Sequence, residues 1–117
     1  MIEIQSSLAQ LIGRQLSSIE FVQNYVQLRF NGITLTVIAL PHVVVRRFTY
    51  EPQMRDYRNM LCSLIGHTIL NFAFVEDVKL EFELSDDTSL VISLKEEDYI
   101  AAEAVIFTSD SQEWWSI

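Results

Sequence analysis

The sequence predicts an α+β fold: two pseudo-symmetric helix–β-meander repeats that form one antiparallel sheet or a rolled, barrel-like pair of sheets. The first observation behind this is a pattern stated twice. Leu8-Ala9-Gln10-Leu11-Ile12-Gly13 returns as Leu61-Cys62-Ser63-Leu64-Ile65-Gly66, an offset of 53 residues (8 to 61). At the same offset Leu16 meets Ile69, Ile19 meets Phe72, and Phe21-Val22 meets Phe74-Val75. The second observation is period-two alternation, the signature of half-buried strands: Val26, Leu28 and Phe30 in one copy, Leu80, Phe82 and Leu84 in the other. The third is a turn signal after each alternating run, Asn31-Gly32 and Asp86-Asp87, followed by Leu-x-Val or Leu-x-Ile. At 117 residues the chain is a single domain over 1–117, so the two copies share one core. The repeats span about 5–40 and 58–94, with a connecting segment at 41–57 and a C-terminal segment at 95–117.

Taken in order, residues 5–12 read as a short helix with Leu8, Leu11 and Ile12 on one face and Gly13 as its stop. Gln15 to Val22 reads as a strand with an irregular start. Tyr25 to Asn31 alternates cleanly, and Ile33 to Leu40 is its return, rich in β-branched residues. Pro41 ends that strand, and Val43–Val45 with Phe48–Tyr50 continues as extended chain. Glu51-Pro52 opens a second helix that runs to about Ile65, two turns longer than the first, with Arg55 and Arg58 on one face. Thr68–Val75, Val78–Leu84 and Ser89–Leu94 form the second meander. A solvated break at Glu96–Asp98, a turn with a short strand before Thr108, and an edge strand around Trp114-Trp115 complete the chain, one indole inward and the other outward.

Half of the residues are hydrophobic, which excludes a disordered chain. No apolar run approaches the roughly 18 residues of a spanning helix. The N-terminus lacks the apolar core of a signal peptide, and the expected location is cytoplasmic. Cys62 is the single cysteine and reads as a small buried or half-buried hydrophobe. No phosphate-cradling loop, nucleophile elbow or metal-ligand spacing is present in the sequence, so no catalytic residue, metal ligand or cofactor is assigned.

Charge is the most functional signal. The formal net charge is −8. Residues 76–103 hold ten acidic side chains against Lys79 and Lys95, which alone accounts for −8. That imbalance argues against nucleic acid and anionic membranes as partners. It suggests a docking surface for a basic protein, built from Glu81, Glu83, Asp86, Asp87, Glu96, Glu97 and Asp98, with Trp114 as an interface anchor. Arg46-Arg47 and Arg55-x-x-Arg58 are the only basic concentrations, expected to pair with carboxylates. The alternative is a small-molecule binder or enzyme with a cleft between the repeats, where His42, Tyr50, Tyr57, Arg58 and His67 are the candidate lining residues. A structural homodimer through edge strands or the tryptophan end is the third reading.

Leu-Ile-Gly followed by a strand, an Asn-Gly or Asp-Asp turn, a Leu-x-Val/Ile return and an acidic-Tyr…Glu-Ala stretch resembles uncharacterised small bacterial proteins that carry the pattern once or twice. The resemblance covers residues 8–40 and 61–107, including Asp98-Tyr99 and Glu103-Ala104. Such families are grouped as domains of unknown function, and some are similar to immunity proteins that neutralise toxins. The resemblance implies a scaffold and no catalytic residues. Asp86-Asp87 departs from the pattern by lacking a glycine, which weighs against a tight hairpin in the second copy.

Overall fold

A computed structural model describes residues 2–117, so Met1 of the expected domain lies outside the described residues. The chain is mostly β. Two short helices, α1 (Ile2–Ala9) and α2 (Tyr57–Cys62), accompany ten strands. These are β1 (Ser18–Val22), β2 (Tyr25–Arg29), β3 (Ile33–Val37), β4 (His42–Val45) and β5 (Phe48–Tyr50) in the first half. The second half contributes β6 (Ile69–Val75), β7 (Lys79–Leu84), β8 (Thr88–Ser93), β9 (Val105–Ser109) and β10 (Trp114–Ser116).

The strands form two five-stranded antiparallel sheets, in the orders β1-β2-β3-β9-β10 and β5-β4-β8-β7-β6. Each sheet takes three consecutive strands from one half of the chain and a hairpin from the other. Of the two arrangements expected, one antiparallel sheet or a rolled pair of sheets, the chain forms two antiparallel sheets. The alternating residues explain the layering. Val26, Leu28, Leu35, Val37 and Phe107 of the first sheet and Leu80, Phe82, Leu90 and Ile92 of the second are fully buried in one cluster. Burial of that many large apolar side chains, each contributing roughly 1.5–3 kcal/mol, is what holds the two sheets together.

The segments after the helices meet across an isolated bridge between Gln15 and Thr68. Their hydrogen bonds are reciprocal. Gly13 N–H donates to Ile69 O (2.8 Å) and Gly66 N–H to Leu16 O (2.7 Å). Leu16 N–H donates to His67 O and Ile69 N–H to Arg14 O, both at 2.9 Å. Leu8, Leu11 and Leu16 and their counterparts Leu61, Leu64 and Ile69 are all buried at this crossing.

Five hairpin turns place non-glycine residues at positive φ, among them Asp77 (+62°) between β6 and β7 and Gln112 (+67°) between β9 and β10. Asn31 and Gly32 stand at +52° and +106°, as the Asn-Gly signal requires. Asp86 and Asp87 stand at +64° and +56°, so the β7–β8 hairpin makes a tight turn of the same hand without glycine, contrary to expectation. Aspartate tolerates this region because its short polar side chain bonds locally. Arg46 and Arg47, at +49° and +77°, turn the chain between β4 and β5. Sequence reasoning had continued this stretch as extended chain, because Arg-Arg carries no turn chemistry.

The second helix is a further correction. It does not span 51–65 but Tyr57–Cys62, shorter than α1. Residues 51–56 fold as successive turns, with Met54 N–H donating to Glu51 O and Tyr57 N–H to Met54 O. Only Tyr57 and Leu61 within it are buried, one i, i+4 pair, which is too small a face to hold a longer helix down. Cys62, on its outer side, is exposed rather than buried or half-buried. Arg55 lies before α2, so it does not share a helical face with Arg58. Among the described residues no helix is long and apolar enough to cross a membrane.

Candidate functional site

The acidic residues divide by the register of β7 and β8. Glu81 and Glu83 alternate with the buried Leu80, Phe82 and Leu84, so they stand on the outer face of the second sheet. Glu81 is half-buried and bonded to Lys79 Nζ at 2.8 Å, while Glu83 is exposed. Asp86 and Asp87 cap the β7–β8 hairpin at one end of that sheet, and Glu96–Asp98, a short 3₁₀ helix, follow β8 at the other. Six strand residues separate the two ends, about 20 Å at 3.4 Å per residue. That exceeds the roughly 8 Å screening length at physiological salt, so the two groups do not act as one potential.

Their surroundings differ as well. At the Asp86-Asp87 turn the backbone N–H of Arg46 donates to Asp87 O at 3.1 Å, and His67 Nε2 stands 3.4 Å from Asp86 Oδ2. At the opposite end, the β6–β7 turn brings Glu76 and Asp77 beside Glu96–Asp98. Leu94 N–H donates to Val78 O at 3.0 Å, which joins the two connections. Tyr99 records the result. Its hydroxyl is pushed above the ordinary tyrosine range by desolvation first, then by the nearby carboxylates of Asp77 and Glu96. Asp77, Glu96 and Tyr99 line an open depression with Ala101 and Ala102.

The strongest acidic surface is therefore Glu76, Asp77, Glu96, Glu97 and Asp98. Sequence reasoning missed Glu76, Asp77 and Tyr99 as members of it. The available signal was the hairpin register, since pairing Lys79 with Ser93 makes the chain before β7 a neighbour of the chain after β8. Trp114 is not on this surface. It points outward from β10 at the edge of the first sheet and is 68% exposed, whereas Trp115 turns inward and stacks on Phe107 with centroids 5.1 Å apart. Glu113 beside it accepts hydrogen bonds from Ser7 and Gln10, tying β10 to α1.

The five residues proposed for a cleft do not form one. Tyr57 is 4% exposed, and its hydroxyl donates to Pro41 O at 2.6 Å. Arg58 lies over the Phe21 ring at 5.1 Å, Tyr50 meets Phe48 edge to face, and His67 faces Asp86. None of Arg46, Arg47, Arg55 and Arg58 makes an ion pair among the described residues. His42 lines an open groove of about 600 Å³ on the second sheet. Leu40, Pro52, Val78, Val91 and Ile100 give this groove an apolar floor, and Lys79, Lys95 and Asp98 line it too. Lys79 is bonded to Glu81, and Asp98 accepts a hydrogen bond from the Ser93 hydroxyl.

Among the described residues no group of three or more histidine, cysteine, aspartate or glutamate side chains is arranged to hold a metal ion. No family model, curated protein or solved structure matches this chain.

Proposed function

We propose that this chain is a non-enzymatic interaction module that binds a basic protein through the acidic end of its second sheet. The observation that carries the reading is the convergence of Asp77 and Glu96, from two separate connections, beside the hydroxyl of Tyr99. Glu76, Glu97 and Asp98 stand exposed around them. A surface of one sign raises the association rate with an oppositely charged partner and makes that rate salt-dependent. An immunity-like role, in which the acidic end covers a basic face of a toxin, is the specific form this reading takes. A cytoplasmic setting belongs to the same proposal, and an exposed free thiol at Cys62 fits a reducing compartment.

We also read the two halves as a duplicated unit. The reciprocal bonds across Gln15 and Thr68 support this, as do the matching sheet orders. Under that reading the first copy is the scaffold partner and the second has acquired the charge.

The test is affinity capture of tagged protein from its host at low and at physiological salt, beside an Asp77→Lys/Glu97→Lys variant. A basic protein retained by the wild type and lost by the variant supports the proposal. A partner retained equally by both removes the acidic end from the function.

A further inference from the structure

The second sheet ends on a strand whose one edge protection, a register shift between Ile69 and Asn71, lies at its first residues and leaves 71–75 regular and open. Edge strands are ordinarily short, charged, bulged along their free side or covered. Here β5 and β10 have three residues each, and β1 carries Glu20 and has Arg58 over Phe21. In contrast β6 is the longest strand, seven residues reading Ile-Leu-Asn-Phe-Ala-Phe-Val, without a charge or a proline. Its only ladder partner is β7. Leu70 is 52% exposed and Val75 44%.

Part of that edge is already occupied. Ile69 gives its N–H to Arg14 O and receives the N–H of Gly13, so the free stretch begins at Leu70. Phe72 N–H is satisfied by the Asn71 side chain at 2.8 Å instead of by β7, which shows that the backbone of Phe72, and by alternation that of Phe74, faces outward.

We propose that β6 pairs antiparallel with β6 of a second copy of this chain, with Ala73 on the twofold axis. The register is set by the open stretch: centring on Phe74 would oppose Phe72 to Glu76 of the β6–β7 turn and leave only 73–75 of the strand paired. In an antiparallel ladder, residues opposite one another must both face the partner or both face away, so the sum of paired residue numbers is even. Centring on Phe72 would bring Val75 of the second copy to Ile69, whose edge Gly13 and Arg14 hold. Centring on Ala73 pairs Asn71 with Val75 and Phe72 with Phe74, and uses the open stretch alone. It also carries the Glu76-Asp77 turn of each copy toward Arg14 of the other, where that guanidinium is held by the carbonyls of Gln10 and Asn31. A self-complementary apolar edge with opposite charges at its two ends is why the occupant is a second copy. The product is a continuous ten-stranded sheet.

In this register Ala73 faces its own copy at a non-hydrogen-bonded position, with Cα atoms about 4.5 Å apart, within disulfide reach. The test uses the full chain. Sedimentation of the wild type at concentrations up to about 100 μM, in the micromolar range where modest interfaces associate, is expected to show the dimer mass, twice 13.5 kDa. Ala73→Lys places like charges opposite each other, and its lysine has Glu81 as a neighbour within its own sheet, so it is expected to fold and sediment as a monomer. In a Cys62→Ser background, Ala73→Cys is expected to cross-link on oxidation and Asn71→Cys is not. A wild type that remains one chain throughout overturns the proposal. So does a dimer that survives Ala73→Lys, or one that cross-links through Asn71→Cys and not through Ala73→Cys.

Discussion

Replacing Tyr57 with phenylalanine keeps the ring that anchors α2 and removes a single hydroxyl. That hydroxyl is buried and donates to Pro41 O at 2.6 Å. The loss combines a net hydrogen bond, about 1 kcal/mol, with the penalty of a buried carbonyl left without its donor, about 1–3 kcal/mol. A cost of about 2–4 kcal/mol at neutral pH is expected, without a cavity term. The same site predicts a pH signature. Burial pushes the Tyr57 hydroxyl far above the ordinary value of 10.0. Above about pH 10 the unfolded chain ionises at this residue while the folded chain keeps its proton. The stability that burial of neutral Tyr57 contributes is thus complete below about pH 10 and is lost as pH rises toward the folded value. Phenylalanine has no proton to lose, so the gap between wild type and Tyr57→Phe should narrow by about 1.4 kcal/mol by pH 11. Urea unfolding of both proteins at pH 7, 9 and 11 measures this, since every other residue is common to both. A variant within about 0.5 kcal/mol of wild type at pH 7, with a gap that does not change with pH, would refute the reasoning.

Two turn substitutions should act in opposite directions. Asp87→Gly relieves a positive φ and should stabilise by about 0.5–1 kcal/mol. Gly32→Ala should cost at least about 1–2 kcal/mol, because its φ is +106° and the added Cβ would stand 2.7 Å from Asp110 Oδ2. Thermal midpoints of the two variants read both signs. The tryptophans should separate as sharply: Trp114→Ala stays within about 0.5 kcal/mol of wild type, while Trp115→Ala costs about 2–4 kcal/mol through its packing on Phe107, measured by denaturant unfolding.

The strands were legible where alternation and turn chemistry agree. Val26, Leu28 and Phe30 before Asn31-Gly32 specify β2, its turn and its return, and Leu80, Phe82 and Leu84 do the same for β7. The Arg46-Arg47 hairpin was not legible, because packing against β8 imposes a backbone that arginine does not favour by itself. The length of α2 was misread because Met54 and Leu64 fit a helical spacing that the tertiary structure uses only between Tyr57 and Leu61. That misreading also turned Cys62 inward. At the candidate site, charge composition places the acidic excess in residues 76–103, but one-dimensional runs grouped Asp86-Asp87 with Glu96–Asp98. Strand pairing puts those at opposite ends and supplies Asp77 and Tyr99 instead.

The exchange of hairpins between the sheets has a consequence for synthesis. β3 lies inside the first sheet only because β9 pairs with it, and their partners Ile33 and Ser109 are far apart in sequence. A nascent chain that has already emerged through Val37 cannot close that sheet until residues 105–109 have also left the ribosome. During that interval β3 presents an unpaired apolar edge to solvent or to a neighbouring nascent chain. Translation speed across the second half therefore sets how long the first half stays open, and slowing it with rare codons after Ser93 should raise aggregation of a protein whose finished fold is unchanged.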